Sequence, residues 1–179
     1  ESHNKAICKD APLMQLGNKA IDDKGKLSKY TTEEKDAIIK AYPAAASLFK
    51  PCYGADEYLD RRERWCLWLK GISPSVYRGI KPISDAINKV KEFRASSTRT
   101  QTQKFASTPM LFGETRQPQS DYLIVPLVNT EKRVYVPMDF FTADIVPTHQ
   151  LGVIENATLY HFGVLQSIVH MAWMRYVCG

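Results

Sequence analysis

The chain has 179 residues, of which 44% are hydrophobic and 24% charged, a mix typical of a globular protein long enough to bury a core. Its formal net charge is +5 and its isoelectric point is about 9.0, which favours an anionic partner such as nucleic acid. No apolar run approaches the ~20 residues of a membrane span, and the opening residues lack a signal-peptide pattern. These properties argue against a membrane protein.

The four cysteines, Cys8, Cys52, Cys66 and Cys178, form no Cys-x-x-Cys pair, and no histidines accompany them at metal-ligand spacing. The sequence therefore predicts no metal site. Each cysteine lies beside apolar residues and is predicted to be a buried free thiol. Reduced thiols fit a cytoplasmic protein.

The first predicted helix begins at Thr31, because Thr31-x-x-Glu34 is a capping box and apolar residues follow at helical spacing. Pro43 ends this helix and starts a short second one through Phe49. Residues 64–69, Arg-Trp-Cys-Leu-Trp-Leu, are apolar at nearly every position, which predicts a central β-strand.

A long helix is predicted from Ile83 towards Phe105, with apolar residues at spacings of three and four. Two β-rich runs, 122–128 and 133–137, then flank the turn Asn129-Thr130-Glu131-Lys132. This pattern predicts a hairpin whose tip carries Lys132 and Arg133. A basic hairpin tip is a common way to enter a nucleic-acid groove.

Residues 140–147 are predicted to be a loop or short strand, and residues 151–154 another strand. The last predicted element is a helix from Thr158 to Val177, whose apolar stripe we expect to lie in the core. Together these elements predict an α+β fold in which a mainly antiparallel sheet packs against two longer helices. The stripe is formed by Leu159, Phe162, Leu165, Val169, Ala172, Trp173 and Tyr176.

The interval between Glu92 and Glu114 contains no acidic residue and holds Arg94, Arg99 and Lys104 among hydroxyl and amide side chains. Cations, hydroxyls and amides suit contacts with phosphate oxygens. A solvated helix face or a mobile linker would have the same composition. Both interpretations stay open from composition alone.

No catalytic group emerges from the sequence. Glu33-Glu34-Lys35, with Asp22 or Asp23 upstream, imitates the two carboxylates and lysine of metal-dependent nucleases. Acidic residues are also favoured in the first turn of a helix by its dipole, and that explanation suffices here. No nucleophile elbow, phosphate loop or dinucleotide fingerprint occurs.

Several groups of residues stand in a distinctive order along the chain: Gly17-Asn18-Lys19 and residues 53–58, 64–69, 116–118 (Arg-Gln-Pro), 121–123, 131–138 and 161–175. In this order they resemble a known family, the target recognition domain of MmeI-like DNA adenine methyltransferases. Some members are fused to a nuclease as type IIL restriction–modification proteins. The resemblance runs over nearly the whole chain.

The resemblance implies that the chain reads double-stranded DNA and holds no cofactor itself. The parent protein would use S-adenosylmethionine, bound by a methyltransferase domain of the same polypeptide. That domain would carry the catalytic Asn-Pro-Pro-Tyr/Phe motif and flip the target adenine. Residues 1–179 would be a single recognition domain, with a helical lead-in (1–60), a central part with strands, long helix and hairpin (61–157), and a C-terminal helix (158–179).

The DNA-contacting residues expected from this resemblance and from charge are of two kinds. By analogy with the family, base-reading side chains are Thr148, His149 and Gln150, and Gln150 would pair with adenine in the major groove. The outer face of the last helix, with His161 and Arg175, would dock on neighbouring domains. Phosphate or base contacts are expected from Arg94, Arg99, Lys104, Arg116, Lys132 and Arg133.

Two other functions remain as alternatives from the sequence. One is a protein-interaction or scaffold module with a basic surface, and the other is a stand-alone metal nuclease using Asp23, Glu33 and Lys35.

The chain starts without Met and stops at Gly179, directly after a strongly patterned helix. We therefore expect it to be a fragment of a longer protein.

Overall fold

A computed structural model describes residues 11–130 and 132–178, apart from the side chain of Cys178. Cys8, Glu131 and Gly179, named above, lie outside this description. The described strands are β1 Met14–Leu16, β2 Phe49–Tyr53, β3 Trp65–Leu67, β4 Tyr122–Pro126, β5 Asp139–Phe141, β6 Val146–Pro147 and β7 Leu151–Glu155. The α-helices are α1 Thr32–Ala41, α2 Ala55–Asp60, α3 Pro74–Tyr77, α4 Lys81–Ala95, α5 Thr100–Lys104, α6 Leu159–Leu165 and α7 Ile168–Cys178.

The strands form two sheets. One has the order β1-β7-β4-β5 with every neighbouring pair antiparallel. The other has the order β3-β2-β6, in which β2 and β3 are antiparallel and β2 and β6 parallel. The predicted α+β class with a mainly antiparallel sheet is confirmed. Residues 1–60, expected as a helical lead-in, also supply strands β1 and β2.

Two apolar clusters build the interior. The larger one includes Leu27, Leu48, Leu67, Ile83 and Val90, and so joins the β2–β3 pair to helix α4. The smaller one packs under the four-stranded sheet and includes buried residues of β4 and β7. Cys52 and Cys66 are buried free thiols, as predicted. No helix in the described part is both long and apolar enough to cross a membrane.

The predicted start of the first helix is confirmed. The Thr31 hydroxyl accepts from the Glu34 N–H at 3.2 Å, and the Glu34 carboxylate accepts from the Thr31 N–H at 3.0 Å. Together they satisfy two of the unpaired donors at the start of α1. Pro43 then opens a short 3₁₀ helix, Pro43–Leu48.

The predicted hairpin is wrong in its second strand. β4 pairs with β5 in the register Tyr122↔Phe141 and Ile124↔Asp139, so the described residues of the stretch 127–138 form a long loop between them. Lys132 and Arg133 therefore lie in this loop and not at a two-strand tip. The residues that were expected to pair with β4 instead reach helices α6 and α7, because Gln166 and Arg175 donate to the carbonyls of Val136 and Val134.

Strand β3 and the long helix differ from their predictions in position and length. β3 is an edge of its sheet, not a central strand, but its outer side is bridged by Tyr30, which exchanges hydrogen bonds with Trp65 at 2.9 and 3.0 Å. That bridge buries the edge and explains its apolar sequence. The long helix ends at Ala95, and α5 begins only at Thr100.

The C-terminal helix breaks at Gln166 and Ser167 into α6 and α7. Its apolar stripe was predicted to be core, and this is wrong. Trp173 and Tyr176 are 60% and 89% exposed, and Leu159 and Val169 are similarly exposed, whereas Met171 on another side is buried. The stripe therefore leaves an apolar face uncovered along α6 and α7.

Candidate nucleic-acid interface

The turn between β6 and β7, residues 147–151, is held by its backbone. The Thr148 N–H donates to the Tyr53 carbonyl at 2.8 Å, the His149 N–H to the Asn18 carbonyl at 2.8 Å, and the Leu151 N–H back to the Thr148 carbonyl at 3.0 Å. The side chains of His149 and Gln150 are exposed. This turn therefore presents two polar side chains on a fixed main chain.

Asn18 organises the turn from beneath and is fully buried. Its side-chain N–H groups donate to Gln117 Oε1 at 2.9 Å and to the Pro147 carbonyl at 3.1 Å, while its Oδ1 accepts from the Arg116 N–H at 2.7 Å. Both donors and the oxygen of its amide group thus bond to neighbouring segments. Sequence reasoning noted Asn18 only as part of a family motif, because nothing local reports its burial.

Gly17 lies against the same turn. A methyl group there would meet the carbonyl oxygens of Thr148 and Pro147, the latter at 2.7 Å. A real Cβ does not approach that closely, so the residue at this position must lack one. The close approach fixes the distance between the residue 14–19 segment and the turn.

Of the three base-reading candidates, Thr148 does not fit that role. Its side chain is buried, and its hydroxyl has no hydrogen-bond partner among the described residues. The Thr148 side chain points inward, whereas those of His149 and Gln150 are exposed. Thr148 therefore faces a polar cleft of about 300 Å³ that Arg64, Glu57, Lys19 and Lys29 also line.

His149 lies in an environment that disfavours its charged form. Partial burial, and then the nearby Lys19 ammonium, lower the pKa of the imidazole below its usual value. His149 is therefore neutral at physiological pH, with one ring nitrogen free to accept and one to donate a hydrogen bond. A neutral imidazole can read a base edge as donor or acceptor.

Arg94 was expected to contact DNA, and the structure contradicts this. The side chain is fully buried, and burial lowers the pKa of its guanidinium. The sequence contained the signal, because Arg94 continues the spacing of Ile83, Ile87 and Val90 along the buried side of α4, while Phe93 is exposed. Its guanidinium donates at 2.8–3.0 Å to the carbonyls of Ala20, Ile21, Phe105, Thr108 and Leu111.

The other predicted cations differ in their exposure and in their ion pairs. Arg99 and Lys104 are exposed at the two ends of helix α5. Arg116 is half-buried, forms an ion pair with Glu114 and donates to the Gly17 carbonyl at 3.4 Å. Its charge is therefore partly neutralised beside the 147–151 turn.

Lys132 and Arg133 are exposed in the loop of residues 127–138. The loop leaves β4 next to the turn, since the Leu127 N–H donates to the Gln150 carbonyl at 3.1 Å. At its far side, Arg175 donates to the carbonyls of Arg133 and Val134. Arg175 thus supports this loop from within the chain.

Asp22, Glu34 and Lys35, which belong to the nuclease pattern, make structural contacts instead. Asp22 accepts from the Leu27 and Ser28 N–H groups at 2.7 and 3.0 Å, and Glu34 caps α1. Lys35 lies over the Trp65 ring at 3.8 Å and pairs with Asp36. Within residues 11–130 and 132–178, no group of histidine, cysteine or acidic side chains could hold a metal ion.

Both the sequence and the structure of this chain are similar to those of known proteins. The chain is 35% identical over 170 residues to DNA methyltransferase A of Bacillus subtilis (strain 168), covering 95% of this chain and 19% of that protein. Its structure is similar to that of the Type IIL restriction-modification enzyme MmeI in complex with DNA, with a TM-score of 0.91 and 36% identity. That match covers 97% of this chain and 23% of MmeI, so this chain spans about a fifth of each relative.

The family model described as MmeI, target recognition domain, matches residues 1–179, which is the whole chain. An identity above a third and the shared fold agree with that match. The chain therefore belongs to the MmeI target recognition domain family.

Proposed function

We propose that this chain is the double-stranded DNA recognition module of a DNA N6-adenine methyltransferase, and that it selects the site at which the enzyme acts. The observation that carries the proposal is the 147–151 turn, where His149 and Gln150 project from a backbone fixed by Tyr53 and Asn18. Base edges are read by polar side chains held in register. Membership of a target recognition family supports this assignment.

Methyl transfer would be supplied from outside these residues. We assign it to a methyltransferase domain of the same polypeptide that uses S-adenosylmethionine, with residues 1–179 as one recognition domain. The relatives, of which this chain spans 19% and 23%, support that division. The buried free thiols of Cys52 and Cys66 support a reducing, cytoplasmic location.

The test of base reading is replacement of Gln150 by alanine in the full-length enzyme, followed by mapping of the methylated sites. A bidentate contact to adenine contributes about 1–3 kcal/mol of discrimination, so we expect relaxed selectivity at one base position. The control is Gln15→Ala, because Gln15 is an exposed glutamine on the edge strand β1. Unchanged site preference in the Gln150 variant would remove this residue from the proposal.

Contacts with the phosphodiester backbone of the DNA are assigned to the predicted cations other than the buried Arg94. If all of them contact phosphates, the logarithm of the affinity should fall with the logarithm of salt concentration with a slope of about −4 to −5. An affinity that does not depend on salt would contradict DNA binding through these side chains. The proposed residues are Arg99, Lys104, Arg116, Lys132 and Arg133.

A protein contact is a second function that one observation favours. The apolar face of α6 and α7 includes Trp173, 60% exposed, and Tyr176, 89% exposed, and such faces mark interaction sites. We assign this contact to the methyltransferase domain. Hydrogen exchange of the full-length enzyme should show residues 159–177 more protected than in the isolated chain. Equal protection in the two would refute this contact.

A further inference from the structure

A second cleft, of about 370 Å³, lies between the turn of residues 22–29 and helix α4. None of the residues that line it was selected as a DNA contact from the sequence. Two acidic side chains, Glu34 and Asp85, share its lining. The cleft is named here the lysine cleft because Lys24, Lys26, Lys29 and Lys89 line it.

The turn that carries three of these lysines is rigid. The Asp22 carboxylate accepts from the Leu27 and Ser28 N–H groups at 2.7 and 3.0 Å and so closes the turn. Gly25 has a φ of 85° and lies under the aliphatic stem of Lys29, where a Cβ would be 2.5 Å from the Lys29 Cβ. The stem of Lys29 therefore packs on a turn that is held by hydrogen bonds, and this packing positions its ammonium group.

The lysine cleft carries an excess of positive charge. Among the described residues, no salt bridge involves Lys24, Lys26, Lys29 or Lys89. Glu34 and Asp85 offset two of these four charges, so the lining keeps a formal net charge of +2. A net positive cleft favours an anion.

The lysine cleft continues into the surface that carries the 147–151 turn. Lys29 lines both the lysine cleft and the smaller polar cleft, where it stands with His149 and Gln150. Lys19, which is exposed, lines the polar cleft too. A cationic path therefore leads from the proposed base-reading side chains to the lysine cleft.

We propose that the lysine cleft binds the phosphodiester backbone of the DNA next to the bases contacted by His149 and Gln150. This inference rests on the proposed function and extends it to lysines that are not among the DNA contacts proposed above. Lysine suits this role because its ammonium is a compact point charge without the planar fork of arginine. It therefore holds phosphates without reading sequence. Continuity with the turn favours DNA over an acidic protein as the ligand.

The test uses the full-length protein and measures its affinity for a cognate duplex and a random duplex over a series of salt concentrations. The test variant is Lys24→Gln/Lys29→Gln/Lys89→Gln. Each lost phosphate contact should reduce the salt slope by about 1, so we expect it to shrink by about 3. Affinity for both duplexes should fall by the same factor, because phosphate contacts carry no sequence information.

A charge-matched control removes three exposed lysines that line neither cleft, Lys40, Lys70 and Lys91. It should keep a slope close to that of the wild type. A further variant, Lys24→Arg/Lys29→Arg/Lys89→Arg, retains the charge and should keep the slope, which separates loss of charge from loss of fold.

Two results would overturn the proposal while leaving the proposed function intact. One is an equal change of slope in the lysine-cleft variant and the control variant. The other is a lysine-cleft variant that binds both duplexes with the affinity and salt slope of the wild type. By contrast, a wild-type protein that binds no DNA at any salt concentration would refute the proposed function itself.

Discussion

Replacement of Arg94 by methionine separates the two roles that this residue could have. The sequence assigned it to DNA, whereas the structure buries it under backbone carbonyls. Methionine keeps an unbranched apolar stem as far as the ε position and has no donor, so it removes the hydrogen bonds and the charge together with the end of the guanidinium. The matched control is Arg99→Met, because Arg99 is exposed at the start of α5.

The size of the effect follows from which carbonyls depend on Arg94. Three of its five acceptors have a second backbone donor, because Ala20, Phe105 and Thr108 also accept from Gly113, Thr108 and Leu111 at 3.1–3.2 Å. The carbonyls of Ile21 and Leu111 have no other donor among the described residues. A buried acceptor left unpaired costs about 1–3 kcal/mol, so two of them give a loss of about 4 kcal/mol.

The measurement is urea unfolding of the 179-residue chain. At a slope of about 2 kcal/mol per molar urea, the Arg94 variant should unfold about 2 M earlier than the wild type. The Arg99 variant should stay within about 0.5 kcal/mol, as exposed substitutions do. A loss below about 1 kcal/mol for Arg94→Met, with weaker DNA binding than Arg99→Met, would refute the structural role.

Three further predictions concern single positions. Thr31→Ala should lower the free energy of unfolding by about 1 kcal/mol in the same urea assay, because the Glu34 N–H loses its acceptor, whereas Thr31→Ser should retain most of it. Gly17→Ala should push on the Thr148 carbonyl, lower stability by about 1–3 kcal/mol and reduce discrimination between cognate and altered sites; unaltered discrimination would show that the turn had not moved. The lowered pKa of His149 means that the unfolded chain takes up a proton near pH 6.5 before the folded chain does, so stability should fall as the pH drops through that value. His149→Gln should lack this part of the pH dependence. A pH profile of stability identical to that of the wild type would contradict the assignment of this effect to His149.

Elements that depend on near neighbours were predictable from the sequence. The capping box of Thr31 and Glu34 and the short apolar run of strand β7 each depend on only a few consecutive residues. Strand pairing does not. Val134, Tyr135 and Val136 have high β-propensity, yet β4 pairs with Phe140 and Phe141, because that pairing is chosen by contacts distant in the chain.

The exposure of the candidate site residues was predictable for some of them and not for others. His149 and Gln150 are exposed on a polar turn, as expected. Charge counting could not tell that Arg94 is buried, since composition carries no information about depth. Charge counting also did not identify Lys29 and Lys89 as a pair. They lie far apart in sequence and line one cleft only because the 22–29 turn packs beside α4.

The 147–151 turn is fixed by main-chain hydrogen bonds that do not involve the side chains of His149 or Gln150. Those two positions can therefore accept different residues while the framework around Gly17 and Asn18 stays in place. A recognition protein built in this way separates what must be kept for folding from what may vary between targets. If His149 and Gln150 read bases as proposed, substitutions at these two positions would change the sequence preference while the framework of the turn stays in place.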